Sequence, residues 1–248
     1  MKIFQMRLDL YLFQNNFADS RTDAKRMILA GEVFIGGKVI DKPSFDLTNE
    51  ICDVEIRRAS KKFASRGGLK LDGALKAFKI NTQNKLALDI GASSGGFTDC
   101  LLQNGVKHVI SVDSGIGQIA DFLREDERVT VIEKYNARYM NSEDFEYVPD
   151  LAVMDVSFIS ATYIIPAVYK ILAPEGDFIC LIKPQFEVGK SLIGKNGVVK
   201  SEKARQKAVE KVTSFAMEQG FSVVGVILSS IEGGDGNIEY LAYFRKRG

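Results

Sequence analysis

Four ionisable side chains stand out by type and setting: Lys70, Asp155, Lys183 and Glu239. Asp155 lies in Met154-Asp155-Val156-Ser157 and Lys183 in Leu181-Ile182-Lys183-Pro184, each at the end of an apolar run that reads as a strand. Glu239, in Gly236-Asn237-Ile238-Glu239-Tyr240, opens another. Two lysines and two carboxylates without a histidine or metal suit methyl transfer to a sugar hydroxyl. Such a hydroxyl is a weak nucleophile until its proton is removed or polarised, whereas a sulfonium methyl needs only in-line attack. Lys183 can act as the base if desolvation and the positive charge of Lys70 favour its neutral form. Asp155 and Glu239 favour the cation instead, and the sequence leaves that contest open. In this reading the two carboxylates orient the lysine and the hydroxyl, and Lys70 helps hold the substrate.

A glycine-rich turn, Leu88-Asp89-Ile90-Gly91-Ala92-Ser93-Ser94-Gly95-Gly96-Phe97-Thr98, joins an apolar run to a helical one. Glycines there let a ligand approach the backbone near a helix N-terminus. A dinucleotide fingerprint starting at Gly91 needs glycine at 93, which is Ser93, and a P-loop needs lysine at 97, which is Phe97. What remains is a ligand without phosphates, such as S-adenosylmethionine. Asp113, at the tip of the next apolar run, is placed to accept hydrogen bonds from ribose hydroxyls, and Asn136 is a candidate contact for adenine. The expected cofactor set is Asp89, Gly91, Ala92, Ser93, Gly95, Gly96, Phe97, Thr98, Asp113, Ser114, Asn136 and Asp155.

These residues need a frame that brings distant segments to one rim. Apolar runs at 86–90, 109–113, 129–133, 151–156 and 178–183 alternate with helical patterns near 97–104, 118–125, 160–172 and 202–219, the rhythm of a parallel sheet covered on both faces. Two closing strands, 223–229 and 238–244, leave no room for a crossover helix, so one runs antiparallel. The expected fold class is α/β, a seven-stranded Rossmann-like methyltransferase sheet, preceded by a small α+β domain.

That small domain reads as a helix over 6–16, a second helix capped by Ser20 and closed by Gly31, and a hairpin turning at Gly36-Gly37. Residues 1–70 hold 13 basic and 9 acidic side chains out of totals of 33 and 32, so a basic front end precedes a mildly acidic body. Arg7, Arg21, Lys25, Arg26 and Lys38, with Arg66, form the expected RNA-binding set. The division predicted is 1–60 for the RNA-binding domain, 61–69 for a basic linker and 70–248 for the catalytic domain.

The 248 residues are 46% hydrophobic and 26% charged, which excludes disorder, collagen and coiled coil. Cys52, Cys100 and Cys180 form no C-x-x-C pair, and His108 is the only histidine, so disulfides and metal are not expected. The N-terminus lacks a signal-peptide stretch and no run reaches the ~18 apolar residues of a spanning helix, so the expected place is the cytoplasm.

The helix, capped helix and Gly-Gly hairpin resemble the alpha-L RNA-binding domain shared by a ribosomal protein and many RNA-modifying enzymes. Ser65-Arg66-Gly67-Gly68-Leu69-Lys70-Leu71, Asp89 to Asp99, Asp155 to Ser160, Lys183 to Glu187 and Gly236-Asn237-Ile238-Glu239 resemble the TlyA family, ribosomal RNA 2′-O-methyltransferases often labelled hemolysins, with an FtsJ-like catalytic domain. The resemblance implies a Lys-Asp-Lys-Glu tetrad at Lys70, Asp155, Lys183 and Glu239. It also implies S-adenosylmethionine as cofactor and ribosomal RNA or a ribosomal subunit as partner, with a cytidine ribose of large-subunit rRNA, in some members also small-subunit rRNA, as target. Ser114-Gly115-Ile116-Gly117-Gln118 departs from the family's Val-Gly-Tyr-Gly-Gln, which removes an aromatic contact. The alternatives are an RNA-binding assembly protein without turnover and a membrane-lytic protein. The first is disfavoured by four filled tetrad positions, and the second by the lack of an insertion segment.

Overall fold

The computed structural model describes residues 5–18, 20–29, 31–48, 54–56, 62–194, 197–233 and 236–248. The chain divides into two compact units, Met1–Lys61 and Lys62–Gly248.

The first unit contains β1 (Gln5–Arg7), α1 (Leu8–Gln14), α2 (Arg21–Leu29), β2 (Val33–Ile35), β3 (Lys38–Val39), β4 (Asp46–Thr48) and β5 (Val54–Ile56). Ser20 caps α2 by accepting the Asp23 N–H at 3.0 Å, and Gly31 leaves the helix at φ 70°. Gly36 and Gly37 take φ 54° and 77°, the positive pair a two-residue hairpin requires. Leu8, Leu12, Ala24, Met27, Ile28 and Val33 form its core. The helix expected from residue 6 starts at Leu8 instead. Residues 5–7 pair antiparallel with 46–48, and the Leu8 and Asp9 amides donate to the carbonyls of Phe45 and Pro43. Tertiary pairing thus captures donors that another helical turn would have used.

The second unit opens with α3 (Gly67–Phe78), then β6 (Leu86–Ile90), α4 (Gly96–Gln103), β7 (His108–Val112), α5 (Asp121–Arg124), β8 (Val129–Ile132), β9 (Leu151–Met154), α6 (Ile165–Ile171), β10 (Asp177–Ile182), α7 (Pro184–Glu187), α8 (Glu202–Glu218), β11 (Phe221–Leu228) and β12 (Tyr240–Lys246). Seven strands form one sheet in the order β11-β12-β10-β9-β6-β7-β8, with β12 antiparallel to both neighbours. Every residue of β9 and β10 is buried because helices cover both faces. Alternate side chains feed two cores: Ala152, Met154, Phe178 and Cys180 on one face, and Leu151, Val153, Ile179 and Leu181 on the other. On α8, Ala204, Ala208, Val212 and Ala216 recur every fourth residue and form the buried stripe.

The segment expected as a linker is a correction in part. Residues 57–61, including Arg57, Arg58 and Lys61, lie outside the described residues, as does Cys52. Residues 62–66 belong to the second unit: Phe63 is buried in its core, Ala64 N–H donates to Asp99 at 2.7 Å, and Lys62 pairs with Asp72 at 2.8 Å. An aromatic anchor and two carboxylates therefore fix this stretch despite its basic composition. His108 has a structural setting, with Nε2 3.1 Å from the Thr130 hydroxyl and its ring tilted on Tyr147.

Candidate active site

Strand order reverses between β6 and β9, each leaving the sheet at its C-terminal end beside the other. An open α/β sheet forms its ligand crevice at such a point. The glycine turn follows β6 and is folded tightly under this rim. Gly91 sits at φ 83°, where a Cβ would lie 2.4 Å from the Asp155 carbonyl oxygen, so only glycine lets the two loops approach. Gly95, at φ 87°, begins α4, and a Cβ there would lie 2.2 Å from a Leu123 methyl. Asp89 is fully buried beneath the turn. It accepts the Thr98 hydroxyl at 2.7 Å, and that hydroxyl is 2.8 Å from Ser111 Oγ. Its second oxygen has no hydrogen-bond partner among the described residues.

Burial, with smaller repulsion from Asp155 and Asp113, pushes the Asp89 carboxyl up to about 7 from 3.8. Between roughly pH 4 and 7 the folded protein thus keeps a proton that the unfolded chain has released. Stability falls as pH rises through that window and levels off above it. Asp89→Asn should gain on the wild type by up to about 4 kcal/mol across the window. Thermal denaturation of both proteins at several pH values reads this, and parallel stability curves would contradict it.

Two cavities open on the rim and meet at Gly91, Ser93, Asp155 and Ser157. The larger, about 520 Å³, is lined by Asp113, Ser114, Gln118, Tyr135, Asn136 and Ala137 on one side and by residues 155–159 and Ile164 on the other. The described residues lining it include two carboxylates and no lysine or arginine. A pocket of this size and charge fits a neutral or cationic nucleoside-bearing ligand and gives phosphates no counter-charge. Asp113 accepts the Ser93 N–H at 2.8 Å on one oxygen and the Gly115 N–H at 2.7 Å on the other. Each carboxylate oxygen has a further lone pair for an incoming hydroxyl. Asn136 spends its side-chain oxygen on the Arg138 N–H at 3.1 Å.

The smaller cavity, about 270 Å³, is lined by the glycine turn, by Ser65, Arg66, Gly67 and Lys70, by Asp155, Ser157 and Lys183, and by Ile231 and Glu232. Lys70, buried on α3, donates to Glu239 at 2.5 Å. Lys183, just after β10, lies 2.5 Å from Asp155 Oδ1 as an ion pair without hydrogen-bond alignment and donates to Ser157 Oγ at 2.7 Å. The four expected catalytic residues therefore stand as two ion pairs, with Lys70 committed to Glu239. Glu239 precedes β12 and lines neither cavity; its contact with a cavity-lining residue is the one to Lys70.

Of the expected cofactor set, Gly91, Ala92, Ser93, Gly96, Phe97, Asp113, Ser114, Asn136 and Asp155 line the cavities; Asp89, Gly95 and Thr98 shape the turn from beneath. Sequence reading missed Ser157, Tyr135, Gln118, Ile231 and Glu232. Only Ser157 carried a local signal, an alcohol two positions after the rim carboxylate.

In the first unit, Arg7 and Arg21 converge on buried Asp9, at 3.0 and 3.2 Å. The Arg7 hydrogen bond, opposed by burial and helped by Arg21, holds the Asp9 carboxyl below its ordinary range. Both guanidinium side chains stay nearly half exposed. Lys25, one turn beyond Arg21 on α2, and Lys38 on the hairpin are exposed. The side chain of Arg26 lies outside the described residues. Arg66 is exposed and donates to the Glu232 carbonyl at 3.4 Å.

Residues 63–246 match the FtsJ-like methyltransferase family model and residues 6–50 match the S4 domain model. The chain is 40% identical over 239 residues to the Mycobacterium tuberculosis 16S/23S rRNA (cytidine-2′-O)-methyltransferase TlyA, covering 96% of this chain and 89% of that protein. The chain belongs to the TlyA family of FtsJ-like methyltransferases. Hemolysin A of Brachyspira hyodysenteriae is 41% identical over 240 residues, covering 96% of this chain and 99% of that one. A hemolysin-designated structure from Streptococcus thermophilus superposes with a TM-score of 0.79 at 43% identity, covering 98% of this chain and 89% of that chain. Within this TlyA-family fold no helix among the described residues is long and apolar enough to cross a membrane. The Ala161–Leu172 segment turns Ile165, Val168 and Ile171 into the core. No cluster of three or more potential metal ligands occurs among the described residues.

For the cofactor pocket, Asp113→Ala should weaken S-adenosylmethionine binding by about 10–100-fold, the usual scale for losing hydrogen bonds to a charged acceptor. Isothermal titration of the two proteins measures it. Equal affinities would remove Asp113 from the cofactor site.

Proposed function

We propose that this protein methylates the 2′-hydroxyl of a cytidine in ribosomal RNA, of the large subunit first and of the small subunit as a second target. The observation that carries this reading is the Lys183–Asp155 contact where the two cavities meet, with Lys70, held by Glu239, lining the smaller cavity beside it. Membership of the TlyA family and the S4-type front end support it.

The residues present fit S-adenosylmethionine. Asp113 and Asn136 would hold its nucleoside, in a cavity whose described lining carries two carboxylates and no lysine or arginine, and the turn from Gly91 to Phe97 its amino-acid portion. When bound, it supplies a methyl group on a positively charged sulfur that departs as a neutral thioether. Lys183 receives the target hydroxyl's proton as the oxygen attacks, and the form that does so is the neutral amine. Its surplus proton leaves to water on the open side of the cavity, where Ser157 is exposed. Asp155 and Ser157 fix the direction of the Lys183 nitrogen, and Asp155 stabilises the ammonium once formed. Glu239 holds Lys70 against the α3 end of the cavity, where its charge and that of Arg66 receive the substrate backbone. Arg7, Arg21, Lys25, Arg26 and Lys38 supply phosphate contacts from the first unit. Such a substrate places the protein with ribosomes in the cytoplasm.

Incubation with labelled S-adenosylmethionine and separated ribosomal subunits, followed by nucleoside analysis, tests the assignment. The expected product is 2′-O-methylcytidine. Label on a base or on protein, or none, would overturn it.

A further inference from the structure

Lys183 and Asp155 meet beyond the ends of their strands. The β9–β10 ladder stops at the Met154–Cys180 pair, so no strand pairing fixes the loop 155–160 against the segment that carries Lys183. That loop is also conformationally demanding: Phe158 is 92% exposed and holds φ 64°, a left-handed conformation that a non-glycine residue keeps only when its surroundings hold it. The tie comes from Glu187, the last residue of α7, whose side chain is only 2% exposed. One carboxylate oxygen accepts the Ala161 N–H at 2.7 Å, and the other accepts the Ser160 hydroxyl at 2.5 Å and the Lys211 ammonium at 2.9 Å. Lys211, on α8, donates also to the Glu187 carbonyl at 3.0 Å. Phe186 adds a ring contact to Phe158 at 5.2 Å.

We infer that Glu187, seated on Lys211, is a positioning residue: it clamps the loop 155–160 to the Lys183 segment and so holds Asp155 and Ser157 on the Lys183 nitrogen. The inference rests on the methyl-transfer reading for its rate consequence and on the fold alone for its geometry. Both oxygens of Glu187 accept from fixed donors, so the amide of Glu187→Gln must face one of them with its own N–H whichever way it is turned. The loop and Lys183 then drift apart. Because the proton must be taken in a narrow geometry, displacement of this kind costs on the order of 10²-fold in rate.

The expected result for full-length Glu187→Gln is a kcat on ribosomal subunits lower by about 10–100-fold, with KM and S-adenosylmethionine affinity near wild type. Val212→Ala, which only opens space in the α8 core, should lose stability and keep its kcat at a temperature where both variants are folded. Lys211→Arg, which keeps the donors to Glu187, should stay close to wild type. If Glu187→Gln does not fold, Lys211→Met with Ser160→Ala carries the same test from the partner side. A second readout is independent of turnover: the Lys183 Nζ resonance of lysine-labelled protein, hydrogen-bonded to Ser157 in the wild type, should move and exchange faster in Glu187→Gln. An unchanged kcat together with an unchanged Lys183 resonance in a folded variant overturns the inference. So does a kcat loss that Val212→Ala shares at equal stability. If the wild type itself transfers no methyl group, the functional reading fails, and the resonance still decides the clamp.

Discussion

Lys183→Ala should lower methyl transfer by ~10²-fold or more, the usual scale for a positioned acid–base group, while S-adenosylmethionine binding stays near wild type. Lys183 lines the smaller cavity and is absent from the lining of the larger, nucleoside-sized one, so its loss falls on the target hydroxyl. The side chain reaches Asp155 and Ser157 and is only 11% exposed, so no other described lysine is seen to reach the Asp155 carboxylate. Lys183→Arg separates a base from a mere positive charge. A guanidinium keeps the charge and the donors but does not give up its proton, so this variant should be as impaired as alanine. Single-turnover rates with saturating cofactor measure both. Recovery of most of the rate in the arginine variant would assign Lys183 an electrostatic role, and full activity in the alanine variant would remove it from the chemistry.

Removing residues 1–61 should abolish modification of ribosomal subunits while leaving cofactor affinity intact. The remaining unit has both faces of its sheet covered and contains both cavities, so it keeps what the cofactor needs. What it loses is the exposed cationic set of the first unit, including Arg7 and Arg21 oriented by Asp9. Binding to nucleic acid by several phosphate contacts depends steeply on their number, so losing about four such cations costs ~10²-fold or more in affinity at physiological salt. Calorimetry for the cofactor and label transfer for the subunits report the two halves separately. A shortened protein that modifies subunits at the full rate would place the substrate grip in the catalytic unit.

The sheet was legible because its central strands are continuous apolar runs, and β9 and β10 are buried on both sides as such runs require. The close spacing of the last two strands required an antiparallel partner, and β12 is that strand. Local chemistry was equally readable at Gly36-Gly37 and at Ser20, where turn and cap depend on neighbours in sequence. What was not legible came from contacts distant in the chain. Residues 5–7 became a strand because 46–48 were there to pair with them. Residues 62–66, basic enough to read as a linker, are anchored by Phe63, Asp72 and Asp99. In the site, Asp155, Lys183 and Glu239 could be placed on one rim from the strand pattern, and Lys70 from the helix that precedes the sheet. Their division into Lys70–Glu239 and Lys183–Asp155 could not, because it depends on side-chain reach. Ile231 and Glu232 reach the smaller cavity from the loop before β12, and Glu187 binds a loop 26 residues away; neither has a periodicity or spacing that announces it.

In the proposed reaction Lys183, Asp155 and Lys70 face the donor methyl from the substrate side. A crystal structure of the full chain with S-adenosylmethionine measures it directly. The expected structure has the nucleoside against Asp113 and Asn136, the sulfur where the two cavities meet, and the methyl directed into the cavity that contains Lys183 and Lys70. A methyl group directed away from Lys183, or a cofactor seated elsewhere on the sheet, would contradict it.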